Sequence, residues 1–279
     1  MHPLITELGL DGEAKLLHER RGTTFFKVGG TALKITDGLM AGREGQVLAA
    51  LGADHYLAHG DHGQGTWLAM RWIDGTSLWD ALEPAHRSNG TPAVRRSILT
   101  AAAEAADALA ALHAAGWTHG DLQPDHIVFE GSATRIIDLA CAQGPVPVPF
   151  YVHRGGMTHT TAPEIATLIL DTTDHITTTP EADVWSLAAS LFWAWTRTPP
   201  TDYRDPKNRR PDLLADIAAN RRHDLAAVRP WPFPAFEGAL RAGLDPNPGQ
   251  RSTAETMARR VRTALTDPAG SAPRPDFNP

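Results

Sequence analysis

Short runs of β-branched and aromatic residues dominate residues 14–36, where AKLLHERRGTTFFKVGGTALKIT is interrupted by ERRG and GG. Breaks of this kind are typical of turns between antiparallel strands, so we predict three strands here. The following segment, AGREGQVLAALGA, has apolar residues at helical spacing and predicts one helix. HYLAHGDHGQGTWLAMRWIDG then predicts two strands closed by a turn at residues 63–65. We therefore expect residues 1–73 to form a small sheet with one helix.

Helical patterns replace strand patterns from about residue 93. AVRRSILTAAAEAADALAALHAAG is rich in Ala and ends at Gly116, a residue that is common just beyond helix ends. PEADVWSLAASLFWAWT predicts a helix with one broad apolar face, and FEGALRAGL and STAETMARRVRTAL predict two more. HIVFE and RIID predict two short strands around the turn GSAT. Residues 74–266 are therefore expected to be mainly helical.

Two further segments lack a clear period. The stretch IATLILDTTDHITTTPEAD, residues 165–183, is rich in Thr and predicts a surface loop. Residues 267–279 are rich in Pro and poor in apolar residues, so we expect a disordered tail there.

Composition and charge exclude several classes of protein. The net charge of −6 offers no basic surplus for a phosphate backbone, so we expect no nucleic-acid partner. The lone Cys141 excludes an intrachain disulfide framework and a multi-cysteine zinc site. No apolar run approaches the roughly 18 residues of a membrane span, and the N-terminus lacks a basic region followed by an apolar one. We expect a cytoplasmic protein with no membrane partner.

The stretch WTHGDLQPDHIVFE, residues 117–130, places two His and two Asp within eight residues. Alone, this cluster could be a metal site, an acid/base pair or a polar loop. The strand pair that follows should return Asp138 towards the loop that contains Asp121, so that two carboxylates converge beside His126. Paired carboxylates can hold a divalent ion with a phosphate while one of them accepts a proton from a nucleophile.

Several motifs resemble those of the protein kinase-like superfamily, in the order of that family, over roughly residues 15–264. HGDLQPDH resembles the catalytic loop H-R-D-L-K-P-E-N, and IIDLA resembles the metal-binding D-F-G segment. TAPE resembles the A-P-E end of an activation segment, and DPNPGQRST resembles the element whose Arg, here Arg251, pairs with the A-P-E glutamate, here Glu164. TALKI resembles the strand that carries the ATP-binding lysine.

The resemblance implies an α+β, bilobal protein kinase-like fold. It has a small β-rich N-lobe with one helix (residues 1–73), a larger helical C-lobe (residues 74–266) and the tail after them. Lys34 would contact the α- and β-phosphates of ATP, and Glu44 would orient Lys34. Asp121 would be the base for the substrate hydroxyl, and Asp183 would brace the backbone of the catalytic loop.

The remaining site residues are also implied by the resemblance. The catalytic group comprises His119, Asp121 and Gln123, and the metal group comprises Asp138 and His126. Ala32 and Val128 would sandwich adenine, Met70 would be the gatekeeper, and the backbone around Trp72 would meet the adenine edge. Gly22 is what remains of the glycine-rich phosphate loop. The implied cofactors are ATP and Mg²⁺, with Mn²⁺ as the alternative if His126 ligates the metal.

The chain departs from the family pattern at four points. ERRGTTF keeps only Gly22 of the glycine-rich loop, and Gly120 replaces the Arg of H-R-D. Gln123 stands where protein kinases have Lys, and His126 stands where they have Asn. The H-G-D sequence also resembles that of small-molecule phosphotransferases, and Gly120 removes the usual partner of an activation-loop phosphate.

Three functions follow from the sequence. The first is phosphoryl transfer from ATP to a Ser or Thr hydroxyl of a protein or precursor peptide. One form of it is a peptide-modifying kinase of lanthipeptide-type biosynthesis, in which a partner enzyme eliminates the phosphate. The second is a pseudokinase that binds nucleotide or peptide as a scaffold for a partner enzyme. The third is a small-molecule phosphotransferase of the aminoglycoside or choline type, against which TAPE and Arg251 argue.

Overall fold

The computed structural model describes residues 2–266, so the tail predicted for residues 267–279 lies outside the described residues. The chain divides into two compact units. Within the described residues, the first unit contains residues 2–74 together with residues 138–151, and the second contains residues 75–137 and 152–266. Residues 138–151, which the sequence-based boundaries place in the C-lobe, therefore pack with the first unit.

The first unit is built on a five-stranded antiparallel sheet in the order β1-β2-β3-β5-β4. Its strands are β1 Ala14–Arg20, β2 Thr23–Val28, β3 Thr31–Thr36, β4 Tyr56–His62 and β5 Gly65–Arg71. Helix α2, Met40–Ala50, lies between β3 and β4 in the chain. These elements confirm the three strands, the helix and the strand pair expected from the sequence.

A second helix, α1 at Pro3–Glu7, was not predicted, because five residues are too few to show a helical period. The ring of His2 accepts a hydrogen bond from the backbone N–H of Leu4 and so caps the helix start. Leu4 and Ile5 are buried against one face of the sheet, in a core that includes Leu33. Burial against the sheet, and not intrinsic propensity, stabilises so short a helix.

Alternation along the strands separates the two faces of this sheet. Leu33 of β3 lies opposite Ala69 of β5, and both belong to the core that α1 covers. Ala32 lies opposite Met70 in the same strand pair. Because side chains alternate along a strand, Ala32, Lys34 and Met70 share the other face of the sheet.

The second unit is mainly helical. Its helices are α3 Leu78–Ala81, α4 Pro92–Ala114, α5 Pro163–Asp171, α6 Pro180–Thr196, α7 Arg210–Ala218, α8 Leu225–Val228, α9 Pro234–Gly243 and α10 Ala254–Thr266. Its three-stranded sheet contains β6 Thr76–Ser77, β7 Ile127–Glu130 and β8 Ala133–Ile136, in that order. The predicted helices α4, α6, α9 and α10 and the predicted strands β7 and β8 are confirmed. Helix α6 is buried on nearly all sides, whereas the pattern had predicted one apolar face.

The surface loop predicted for residues 165–183 is wrong for residues 165–171, which form most of α5. The apolar residues of α5 pack against α7, in a cluster that contains Ala166, Leu214 and Ile217. Sequence alone could not supply the partner surface that makes this stretch helical. Residues 172–179 do form a loop, in which Thr173, Asp174 and Thr177 are exposed, as expected, whereas Ile176 and Thr178 are buried.

Candidate active site

Lys34 lies at the centre of a charged cluster in the first unit. Its Nζ donates to Glu44 Oε2 at 2.7 Å and to Asp138 Oδ1 at 2.9 Å. The other oxygen of Glu44 accepts the backbone N–H of Leu139 at 3.1 Å. The ion pair predicted between Lys34 and Glu44 is therefore present, and Glu44 also fixes the start of the segment that follows Asp138.

The electrostatics of this cluster keep Lys34 charged. Burial by itself would lower the pKa of Lys34, but attraction to Glu44 and Asp138 outweighs it and raises the pKa above its ordinary value. The side chain of Glu44 is 3% exposed and that of Asp138 is 40% exposed. The carboxylate of Glu44 is therefore shielded from solvent and has a structural role, whereas the carboxylate of Asp138 can contact a ligand from solvent.

Asp138 has a left-handed backbone conformation, with φ 59° and ψ 61°. Non-glycine residues seldom adopt this conformation, although Asp tolerates it better than most. Strained backbone of this kind persists where its surroundings hold it, and it is common at functional sites. Here the contacts of Lys34 and of the Leu139 N–H supply that hold.

Arg43, next to Glu44 on α2, is a residue that the sequence analysis missed. Its guanidinium donates to Ala140 O at 2.9 Å, to Pro149 O at 3.0 Å and also to Ala142 O. The side chain is buried and lies against the ring of Tyr151. Three backbone carbonyls of residues 138–151 are thus tied to α2 by a single cation. The sequence showed only that Arg43 stands next to the expected Glu44 in a predicted helix.

The residues expected around adenine are distributed over both units. Ala32 and Met70 lie opposite each other on β3 and β5, and the Trp72 N–H donates to Gly30 O at 2.7 Å. Val128 is buried on β7 of the second unit. Their roles in nucleotide binding remain predictions.

Gly22 occupies a tight turn rather than an open loop. Arg20 of β1 pairs with Thr23 of β2, so Arg21 and Gly22 alone form the connection, both with positive φ. Two such residues are typical of a type I′ hairpin turn. The backbone O of Gly22 also accepts the N–H of Asp37 at 2.9 Å. The phosphate loop of the family is therefore reduced here to a two-residue turn.

In the second unit, Asp183 at the start of α6 holds the backbone of the catalytic loop. Its Oδ2 accepts the His119 N–H at 2.6 Å, and its Oδ1 accepts the Gly120 N–H at 3.0 Å. His113 Nε2 lies 3.1 Å from the same Oδ2. The bracing contact expected of Asp183 is thus present.

His119 is fully buried and has one definite tautomer. Its Nε2 lies 3.0 Å from Ile137 O, and a carbonyl can only accept, so Nε2 carries the proton. Its Nδ1 accepts the backbone N–H of Asp121 at 3.1 Å. Burial first, and then the neighbouring His126, lower the pKa of His119, so the ring is neutral. A neutral His119 thereby orients the backbone at Asp121.

The carboxylate of Asp121 is held by residues that precede TAPE. Its Oδ1 accepts the backbone N–H of Met157 at 2.6 Å. A Cβ at Gly156 would lie 2.1 Å from the same Oδ1, so only glycine permits this approach. The glycine pair at residues 155–156 was the sequence signal for it, and the sequence analysis missed it.

Both ring nitrogens of His126 take part in hydrogen bonds. Its Nδ1 lies 2.9 Å from the backbone O of Asp121 and therefore carries the proton, and its Nε2 lies 3.1 Å from Gln123 Nε2. The amide of Gln123 therefore donates to the lone pair that a metal would need. The His126 and His119 rings also stack with centroids 5.7 Å apart.

The predicted pair between Arg251 and Glu164 is confirmed. Arg251 donates to the two carboxylate oxygens of Glu164 at 2.8 and 3.1 Å, and its side chain is buried. A bidentate pair of this kind is among the stronger ionic interactions in proteins. It ties the end of the TAPE motif to the segment before α10.

Comparison with known families gives a result that agrees with these contacts. The protein kinase domain family matches residues 55–260, more than half of the 279-residue chain. The chain belongs to the protein kinase family. The matched range begins after Lys34 and Glu44, so the pairing of these two residues is an observation separate from the family match.

Three relatives illustrate the range of similarity. The serine/threonine-protein kinase PknD of Mycobacterium tuberculosis is 30% identical over 233 residues, which are 80% of this chain and 32% of PknD. The serine/threonine-protein kinase PAK 4 of Homo sapiens is 25% identical over 211 residues, 75% of this chain and 33% of PAK 4. The probable serine/threonine-protein kinase PkwA of Thermomonospora curvata is 31% identical over 134 residues, 48% of this chain and 17% of PkwA. This chain spans no more than 33% of the length of any of the three.

No helix within residues 2–266 is both long and apolar enough to cross a membrane.

Proposed function

We propose that this chain transfers the γ-phosphate of ATP to a Ser or Thr hydroxyl of a protein or precursor peptide. The observation that carries the proposal is the cluster of Lys34, Glu44 and Asp138, in which a charged lysine, its side chain only 13% exposed, is held by two carboxylates at 2.7 and 2.9 Å. A cation in this setting is suited to the α- and β-phosphates of ATP.

The residues present fit one Mg²⁺ ion better than two. Mg²⁺ prefers hard oxygen ligands, which the half-exposed carboxylate of Asp138 supplies. His126 offers only nitrogen, and the hydrogen bonds to Asp121 O and Gln123 already engage both ring atoms. When bound, Mg²⁺ would neutralise charge on the phosphates. In the proposal Asp138 holds that ion, and His126 serves the structure of the catalytic loop.

Asp121 is the proposed general base. The γ-phosphorus forms a bond to the substrate hydroxyl oxygen and breaks its bond to the oxygen that bridges the β- and γ-phosphorus atoms. The proton of that hydroxyl passes to Asp121, and ADP leaves. His119 and Met157 orient Asp121 through its N–H and its Oδ1, respectively. General-base catalysis typically contributes roughly 10²- to 10⁴-fold to the rate.

A pseudokinase that acts as a scaffold is the second candidate, and two observations favour it. The β1–β2 connection is a two-residue turn with Gly22 alone, and Gln123 and His126 hydrogen-bond each other where the family has Lys and Asn. A small-molecule phosphotransferase is less well supported, because the pair of Arg251 and Glu164 anchors the end of an activation segment.

Labelled ATP and intact-mass analysis distinguish these functions. The protein is incubated with Mg²⁺, ATP and a set of Ser- and Thr-containing peptides, alongside choline and an aminoglycoside, and each product is weighed. We expect added phosphate on peptide, and its loss in Asp121→Asn while ATP binding persists. Equal turnover in Asp121→Asn and the parent would refute the base assignment. Phosphate on the small molecule alone, or nucleotide binding without transfer, would favour the other candidates.

The proposal includes a precursor peptide as one possible substrate of this chain. A precursor peptide whose phosphorylated Ser or Thr is later eliminated would require a partner enzyme, and a cytoplasmic location would suit both. Co-incubation of the phosphorylated peptide with candidate lyases would reveal loss of phosphate as dehydration, and a stable phosphopeptide in every case would argue for a protein substrate instead.

A further inference from the structure

Residues 172–178, between α5 and α6, contact both the segment that precedes TAPE and the catalytic loop. We refer to them as the brace loop. The backbone N–H of His153 donates to His175 Nδ1 at 3.1 Å, and the N–H of Ile176 donates to His153 O at 3.1 Å. Ile176 is 2% exposed and His153 is 1% exposed. The brace loop therefore forms hydrogen bonds with both the backbone N–H and the backbone C=O of His153.

Arg154 extends this grip. Its guanidinium donates to Asp174 O at 2.8 Å and to Ile169 O at 2.6 Å. Ile169 lies in the last turn of α5, where backbone carbonyls lack partners within the helix. Arg210 of α7 in turn donates to the backbone O of Arg154 at 2.9 Å. Residues 153–154 are therefore held by the brace loop and by two helices.

The next three residues lead directly to Asp121. Gly155 has φ +74°, and a Cβ there would lie 2.7 Å from Ile169 Cδ1. Gly156 passes close to the Asp121 side chain, and the N–H of Met157 donates to Asp121 Oδ1 at 2.6 Å. Only Gly155 and Gly156 lie between Arg154 and Met157, and both pack closely against neighbouring atoms, so a shift of Arg154 is passed on to Met157.

The brace loop also reaches the catalytic loop from its other end. Thr178 Oγ1 lies 2.5 Å from Thr118 Oγ1, and both side chains are buried. Thr118 immediately precedes His119. The contacts therefore form a closed ring that runs from Asp121 through residues 153–157 and the brace loop back to the catalytic loop.

We propose that the brace loop positions Asp121 through Arg154 and the backbone of residues 153–157. This positioning requires no phosphorylation of the protein. The inference rests on the proposed function, because it takes Asp121 as the base. The alternative is a loop that contributes to stability alone. If the brace loop positions Asp121, variants of its contacts should lose turnover but keep ATP affinity. If it only stabilises the fold, the folded variants should keep both turnover and ATP affinity.

The main variant is Arg154→Met, which keeps side-chain length but removes both hydrogen bonds to carbonyls. Misplacement of a catalytic group by about 1 Å can cost roughly 10²-fold, so we expect kcat to fall about 10- to 100-fold, with KM for ATP within about twofold. Arg154→Lys can restore one of the two hydrogen bonds and should recover part of kcat. Arg259→Met, at an exposed position on α10, is the matched control and should leave kcat unchanged.

A second variant acts at the other end of the same path. Gly156→Ala places a methyl group 2.1 Å from Asp121 Oδ1 and 2.7 Å from its Cα, so the Met157–Asp121 contact cannot persist unchanged. We expect the same pattern of lower kcat and unchanged ATP affinity. Gly238→Ala, a helical glycine with nothing within 4 Å of its Cβ position, is the control for the chemical change.

Hydrogen exchange of residues 153–157 separates this inference from the proposed function. The parent is first treated with phosphatase, and its mass is checked. Faster exchange in Arg154→Met, together with lower kcat, supports the inference. If the parent is active and Arg154→Met has the same kcat as the parent, the inference is overturned. If the parent transfers no phosphate, the proposed function fails, and unchanged exchange in Arg154→Met then overturns the brace as well. If Arg154→Met does not fold, Arg154→Lys decides by the same readouts.

Discussion

Replacement of Glu44 by Gln tests the charged cluster around Lys34 most directly. At 2.7 Å and an effective dielectric constant of about 20, the attraction between Lys34 and Glu44 is about 6 kcal/mol. Desolvation of the two groups offsets most of this gain, so the net value of the pair is small. Glu44→Gln instead leaves Lys34 with one carboxylate fewer and turns an amide N–H towards one of two donors, the Lys34 ammonium or the Leu139 N–H. Because Asp138 remains at 2.9 Å, we expect a loss of about 3 kcal/mol, at the lower end for a broken buried pair.

A double-mutant cycle measures the interaction itself. Lys34→Met should also destabilise the protein, because it leaves Glu44 buried without its cation. The double variant should be more stable than the sum of the single losses predicts, by about 2 kcal/mol. The pKa of Lys34 is raised above its ordinary 10.5, so Lys34 stays protonated in both states below that pH, and the coupling should persist as the pH rises towards about 9. Burial raises the pKa of Glu44, so the coupling should weaken as the pH falls and Glu44 takes up a proton.

The assay is urea unfolding of the four proteins, followed by circular dichroism, with ATP titration of each folded protein. Lys34→Met should lose most ATP affinity, since it removes the cation proposed to contact the phosphates. The exposed pair of Arg259 and Glu255, 4.0 Å apart on α10, serves as the control cycle and should show no measurable coupling. Additive losses at Lys34 and Glu44, or a more stable Glu44→Gln protein, would refute the reasoning.

Three further predictions concern the second unit. Removal by phosphatase of any phosphate on Thr158, Thr160 and Thr161 should keep most activity, measured by peptide phosphorylation, because Thr160 and Thr161 are buried and donate to Met157 O and are therefore poor sites for a phosphate switch; activity at background with ATP still bound would contradict this. His126→Asn should leave the ratio of Mg²⁺- to Mn²⁺-supported activity nearly unchanged, since both nitrogens of His126 already have hydrogen bonds, and a several-fold swing towards Mg²⁺ would show that the ring ligates metal. The lowered pKa of His119 means that the unfolded chain binds its proton first, so this residue should contribute less stability as pH falls below 6.5; ¹⁵N NMR at pH 6 should show a neutral ring protonated on Nε2, and a doubly protonated ring would count against the assignment.

The elements that sequence could predict were those whose own pattern carries the information. Alternating runs and Gly turns identified the five strands of the first unit, and Ala-rich or amphipathic stretches identified α4, α6, α9 and α10. Helix α5 was assigned to a loop because its helical state depends on burial against α7, which no local pattern reveals. The five-residue α1 depends in the same way on the sheet that it covers.

The candidate site also contains contacts that the sequence could predict and contacts that it could not. The pairs of Lys34 with Glu44 and of Arg251 with Glu164 followed from motif positions, because a motif fixes which charges must meet. Arg43 and the Met157 N–H were missed, because a backbone group is one partner in each contact: Arg43 donates to backbone carbonyls, and the backbone N–H of Met157 donates to Asp121. The type of a residue does not show which partner its backbone groups take. The roles assigned to Asp121, Asp138 and the adenine-site residues remain predictions for the experiments above.

The three hydrogen bonds from Arg43 to residues 138–151 bear on which inhibitors this protein could accept. A compound that binds only when the chain after Asp138 swings away from α2 must first select a state in which those bonds are broken. Hydrogen bonds to a buried cation are typically worth about 1.5 kcal/mol or more each, so three of them put that state roughly 5 kcal/mol above the ground state. Its population would then be on the order of one molecule in several thousand, and the apparent affinity of such a compound falls by the same factor. Compounds that leave the chain after Asp138 in place avoid that loss, so a screen of ATP-site ligands should return them almost exclusively.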